Sequence, residues 1–131
     1  MKKVMIDTNI YSLAMKGEPE TVDLLRKIDR IGICTVSIGE LFSGFKAGNR
    51  EEKNREQLEI FLDSPRVAVH DIEVETADLY ADILNQLKAA GTPIPTNDIW
   101  IAASAFQHGY KLFTQDKHFN CIPGLIKAEI P

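Results

Sequence analysis

Four acidic residues, Asp7, Glu40, Asp98 and Asp116, stand where alternating strands and helices could bring them together. Asp7 closes the apolar run Lys3–Ile6, and Glu40 falls in the first turn of a helix after a second strand-like run. Asp98 lies at a helix start, and Asp116 follows the fourth strand-like run. Carboxylates supply oxygen ligands for hard divalent cations and can accept a proton from water. Several within a few ångströms repel one another by kilocalories, which a fold tolerates mainly when a bound cation neutralises them. With oxygen donors and no His or Cys pair nearby, the expected ion is Mg2+ or Mn2+. Such an ion lowers the pKa of a bound water and stabilises a phosphoryl group under in-line attack, so the chemistry indicated is phosphodiester hydrolysis. All four acids are assigned as catalytic residues and metal ligands, direct or through water, with the general base left open. Thr8, Asn9 and Thr114 could orient the carboxylates or metal-bound waters, or serve only turns and caps.

Each acid also has a simpler use. Asp7 could cap a helix, Glu40 could pair with Ser37 in a capping box, Asp98 could complement a helix dipole and Asp116 could shape a turn. What favours the joint use is topology: strand carboxyl ends in a parallel sheet share one edge, so acids following separate strands converge there.

The stretch from Gly91 to Asp116 carries most of this positioning. Gly91, Pro93 and Pro95 forbid helix, and Thr96 or Asn97 can cap a helix that holds Asp98 in its first turn and ends at His108-Gly109. Residues 110–114 then read as a short buried strand delivering Asp116 past its carboxyl end. A helix followed by a strand running back beside it is half of a right-handed crossover, so Asp98 and Asp116 should face one another.

Upstream, strand Lys3–Ile6 leads into a helix over residues 10–15, broken at Gly17-Glu18-Pro19 and resumed over 20–28. Residues 31–36 are strand-like, with Ser37 as N-cap of the helix bearing Glu40. Residues 48–53 form a charged break before a helix that stops at Ser64-Pro65; 67–69 form a short strand, 73–90 a long amphipathic helix and 126–130 a last weak strand. The pattern is that of an α/β fold: one domain over residues 1–131, with a mainly parallel sheet of four or five strands and helices on both faces.

The chain has 131 residues, 44% of them hydrophobic, and a net charge of −4, which fits one globular domain but not a surface built throughout to neutralise phosphates. No apolar run approaches membrane length, no signal sequence is seen, and a cytoplasmic protein is expected. Two cysteines, Cys34 and Cys121, are too few for a disulfide framework. Lys46, Arg50, Lys53 and Arg55 form the densest basic group and could track a nucleic-acid backbone, or be a solvated face interleaved with Glu51, Glu52 and Glu56. Trp100 reads as core or dimer contact; His118, two residues past Asp116, could serve as a general acid, but with no second His or defined partner in the sequence the plain structural reading is preferred. His70 and His108 give no functional reading.

Four motifs, Val4-Met5-Ile6-Asp7-Thr8-Asn9-Ile10, Ser37-Ile38-Gly39-Glu40-Leu41, the segment from Gly91 to Asp98 with Ile101-Ala102-Ala103, and Thr114-Gln115-Asp116-Lys117-His118-Phe119 with Ile122-Pro123-Gly124-Leu125, together resemble the PIN-domain ribonucleases, specifically VapC-type toxins of bacterial toxin-antitoxin pairs. The likeness covers nearly the whole chain in the family's order. It implies a PIN-like domain and a metal-dependent endoribonuclease whose acids correspond to Asp7, Glu40, Asp98 and Asp116, with Thr114 supporting the last. It also implies a homodimer, inhibition by a VapB-type antitoxin that places a basic side chain in the acidic cleft, and structured RNA substrates such as tRNA or rRNA loops. Two other readings are a phosphoacceptor signalling module and a non-catalytic PIN-fold binding protein. The first wants paired acids after strand one and an acceptor Asp after a mid-chain strand; this chain has a single Asp7 and a charged helix there.

Overall fold

The computed structural model describes residues 2–128. Its centre is a four-stranded, wholly parallel sheet in the order β3-β2-β1-β4, formed by β1 (Lys3–Ile6), β2 (Arg30–Cys34), β3 (Val67–His70) and β4 (Lys111–Phe113). Side chains alternate across a strand, and the sequence exploits both faces. Val4, Ile6, Ile31, Ile33 and Phe113 pack on one face with α1 (Thr8–Met15), α2 (Pro19–Arg26), α3 (Thr35–Ala47) and α4 (Glu51–Leu62). Met5, Cys34 and Leu112 pack on the other with α5 (Val74–Ala90) and α6 (Thr96–His108). Burial on both sides is why the strands read as continuous apolar runs rather than alternating ones.

The parallel register puts Ile6 beside both Ile33 and Phe113, so Asp7, the start of α3 and residues 114–116 emerge on one edge. Gly109 ends α6 in the left-handed conformation at φ 70°, reversing the chain into β4 without the Cβ penalty. Tyr110 stands just before β4, its hydroxyl 2.7 Å from His70 Nε2. His70 stacks on His108 with ring centroids 3.9 Å apart, so these two histidines serve the packing of β3 against α6. Trp100 stacks on Tyr80 at 3.9 Å, an α5–α6 contact.

Four local expectations change. β2 ends at Cys34, where its pairing with β3 ends at His70, so α3 opens at Thr35 rather than after Ser37. Ser37 is then inside the helix, its buried hydroxyl has no hydrogen-bond partner among the described residues, and the Ser37–Glu40 capping box does not form. α4 begins at Glu51, inside the expected break, with Glu51 and Glu52 in the first turn where they complement the helix dipole. α6 begins at Thr96 behind Pro95, so neither Thr96 nor Asn97 is its cap. The last strand is, among the described residues, a single parallel bridge between Leu112 and Lys127, flanked by hydrogen bonds of Leu112 to Ile126 and Ala128; Glu129 and Ile130 lie outside the described residues.

Candidate active site

Asp7 joins two roles that the sequence presents as alternatives. It is the N-cap of α1, Oδ1 accepting from the Ile10 amide at 3.0 Å, while Oδ2 accepts from the Thr114 hydroxyl at 2.5 Å. The residue is only 5% exposed. Thr114 Oγ1 also accepts from the Asp116 amide at 2.9 Å, locking the end of β4 to the end of β1. Asp116 caps a 3-10 turn over Lys117–Cys121, its Oδ1 accepting from the His118 amide at 2.9 Å. Phe119, 1% exposed, anchors that turn in the core.

Glu40 reaches the same edge from α3. Its Oε1 accepts from Thr8 Oγ1 at 2.7 Å, and Asn97 Nδ2 lies 3.5 Å from its Oε2. Asp98, in the first turn of α6, faces Asp116 across one imidazole: His118 Nδ1 is 3.1 Å from Asp98 Oδ2 and 3.1 Å from Asp116 Oδ1. One ligand atom from each of Asp98, Asp116 and His118 lies within 4.8 Å of the others.

Among the described residues Asp7 and Glu40 do not belong to that close group; they stand beside it on the same edge. Burial pushes the Asp7 carboxyl above the usual range; hydrogen bonds from Thr114 and Ile10 oppose this, and the charges of Asp116 and Glu40 add to it. Asp98 is raised by burial first, then by Asp116, with His118 lowering it and Glu40 raising it. Asp7 and Asp98 therefore each feel both Asp116 and Glu40. Carboxylates that repel in a partly buried cleft, held by O–H and N–H donors that leave lone pairs open, fit a divalent cation. Thr114→Val removes a donor from Asp7 and an acceptor from the Asp116 amide. Divalent-ion affinity is expected to fall about tenfold in a calorimetric titration while the circular dichroism spectrum is kept.

Thr8 and Thr114 thus contact the acids as the sequence suggests, whereas Asn9 is exposed and lines a neighbouring groove of about 400 Å3 with Ser12, Lys16 and Asp116. That groove shares Ser12 and Lys16 with a second of about 440 Å3 bordered by Arg50 and Lys53, so the two join. Arg55 is elsewhere, its guanidinium 4.1 Å over the Phe42 ring and 3.8 Å from Glu51; Lys46 is exposed near the end of α3. Sequence reasoning missed Lys16, gave Asn97 only a capping role and did not place the His118 ring between two acids. The proximity of Asn97 and His118 in sequence to Asp98 and Asp116 was the available signal. Among the described residues no helix is long and apolar enough to cross a membrane.

Comparison with known proteins bears on the family and the fold. The PIN domain family matches residues 4–125. Ribonuclease VapC2 of Rickettsia felis is 32% identical over 127 residues, covering 93% of each chain, and Ribonuclease VapC1 of Haemophilus influenzae strain R2866 is 31% identical over 133 residues, covering 92% of each. Among solved structures, a chain of the DNA-bound VapBC complex of Salmonella typhimurium superposes with a TM-score of 0.88 at 27% identity, covering all of both chains.

Proposed function

Because the chain belongs to the PIN domain family, with VapC ribonucleases among its relatives, we infer that it is the endoribonuclease toxin of a toxin-antitoxin pair, dependent on Mg2+ or Mn2+. The observation that carries the metal-dependent reading is the convergence of the acids on one sheet edge: Asp7 and Asp116 joined through Thr114, Asp98 and Asp116 bridged by His118, and Glu40 tied to Thr8 and Asn97. These acids would hold the ion directly or through water, and when bound it would lower the pKa of a water and offset charge on the phosphoryl group. Ile10 and Thr114 each donate to one oxygen of Asp7 and hold it in position, leaving a lone pair on each oxygen for the ion. Asp98 faces Asp116 across His118 and would hold the ion with it. Thr8 and Asn97 fix Glu40, and Thr114 sets the Asp116 backbone.

The partners follow from the same reading: a VapB-type antitoxin that sets a basic side chain against the acids, a second copy of the chain in a homodimer, and structured RNA, either tRNA or rRNA, in the cytoplasm. Sequencing the 5′ ends that accumulate after brief expression tests the substrate. Cuts concentrated in one loop of tRNA or rRNA are expected, and cuts scattered over messenger RNA contradict it.

The joined grooves give RNA a path from Asp116 past Lys16 to Arg50 and Lys53. Replacing these three cations by Ala is expected to lower kcat/KM and to flatten its dependence on log salt by about 2, the contribution of three phosphate contacts on single-stranded RNA. Arg55→Ala, removed from that path, leaves the slope unchanged. Cleavage rates across a salt series check both.

A further inference from the structure

We propose that His118 supplies a nitrogen ligand to the divalent ion, making this a carboxylate–imidazole site whose preference is drawn from Mg2+ toward later first-row ions such as Co2+. The inference rests on the nuclease reading above and goes beyond it in the donor set. A single atom, His118 Nδ1, stands 3.1 Å from oxygens of two different carboxylates, Asp98 and Asp116. Neighbouring ligands about 2.1 Å from an octahedral ion lie roughly 3.0 Å apart, so both edges have the length that adjacent ligand positions require. One N–H serves one acceptor well, and a second carboxylate on the same nitrogen is left without a proton of its own. A cation in the angle between them serves all three.

The backbone that carries the ring is held in place. Asp116 accepts from the His118 amide at 2.9 Å, and the same turn is pinned in the core by Phe119. Asp7, Glu40 and Asp98 reach the site from β1, α3 and α6, and the turn after β4 supplies both Asp116 and, in His118, the one imidazole among the described site residues. Imidazole raises affinity more steeply along the first-row series than carboxylate does, whereas Mg2+ gains little from nitrogen.

Two measurements on the purified chain test this. In Mn2+-loaded wild type, pulsed electron paramagnetic resonance is expected to show coupling to a directly bound nitrogen, lost in His118→Ala. By calorimetry His118→Ala is expected to weaken Co2+ binding at least about tenfold and Mg2+ binding less than about threefold, and His118→Asp to restore Mg2+ more fully than Co2+. Absence of nitrogen coupling in wild type, or equal weakening for both ions, overturns the assignment. If Asp98→Asn abolishes binding while no nitrogen coupling is seen, the nuclease reading stands and only the His118 ligand falls. If wild type binds none of the three ions, both fall.

Discussion

Asp7→Asn is expected to cut RNA at least about 100-fold more slowly than wild type while folding normally, since the substitution keeps shape and removes one charged ligand from the cleft. Stability should move the other way. In the fold the Asp7 carboxyl holds its proton more tightly than the ordinary value of 3.8, because it is buried and repelled by Asp116 and Glu40. A raised folded pKa contributes stability that is fully present below the unfolded value and lost as pH rises through the folded one. At neutral pH, in chelator, wild type therefore carries the cost of a buried charge that Asn lacks. Scanning calorimetry in chelator should find Asp7→Asn melting above wild type at pH 7, with the gap closing as pH approaches the ordinary carboxylate value. Adding Mg2+ or Mn2+ should raise the wild-type Tm and leave the variant nearly unmoved. A variant that loses cleavage and melts well below wild type at pH 7 would mark Asp7 as a helix cap alone.

Gly32→Ala carries the second large effect, and it concerns the scaffold. A Cβ at Gly32 would lie 2.6 Å from Cζ and 2.8 Å from Cε1 of Tyr110, a ring that is itself buried and tied through its hydroxyl to His70. The ring cannot withdraw without breaking that hydrogen bond and disturbing the His70–His108 stack. Overpacking of this kind costs about 1–3 kcal/mol, or roughly 3–5 °C in Tm per kcal/mol for a chain this size. In a Tyr110→Ala background the same Gly32→Ala change is expected to cost almost nothing, because the ring it strikes is gone. Equal losses in the two backgrounds would remove the steric account.

Much of the sheet was readable because β1 and β2 are buried on both faces, and uninterrupted apolar runs such as Val4 to Ile6 leave little choice of period. The positions of the acids were legible from similar breaks: Asp7 interrupts its run where chain direction must change, and Gly91 and Gly109 end α5 and α6 in left-handed turns on either side of the segment that carries Asp98. What the sequence misplaced depended on partners far along the chain. The start of α3 is set by where β2 stops pairing with β3, so Ser37 in a cap-and-acid pattern was misread as an N-cap. Arg55 belongs to the same charge run as Arg50 and Lys53, yet α4 turns it onto Phe42, a helical-phase effect that a list of charges does not reveal. The His118 ring meets Asp98 because α6 returns beside β4, twenty positions away in sequence.

The claim beneath all of this is that separated carboxylates act as one cation-dependent centre on RNA. The most direct measurement is cleavage of purified total RNA by the antitoxin-free chain, first stripped with chelator and then resupplied with Mg2+ or Mn2+. The account predicts no cutting in chelator, full cutting once either ion returns, and none by Asp98→Asn under any of these conditions. Cutting that persists in chelator, or that survives in Asp98→Asn, would contradict it.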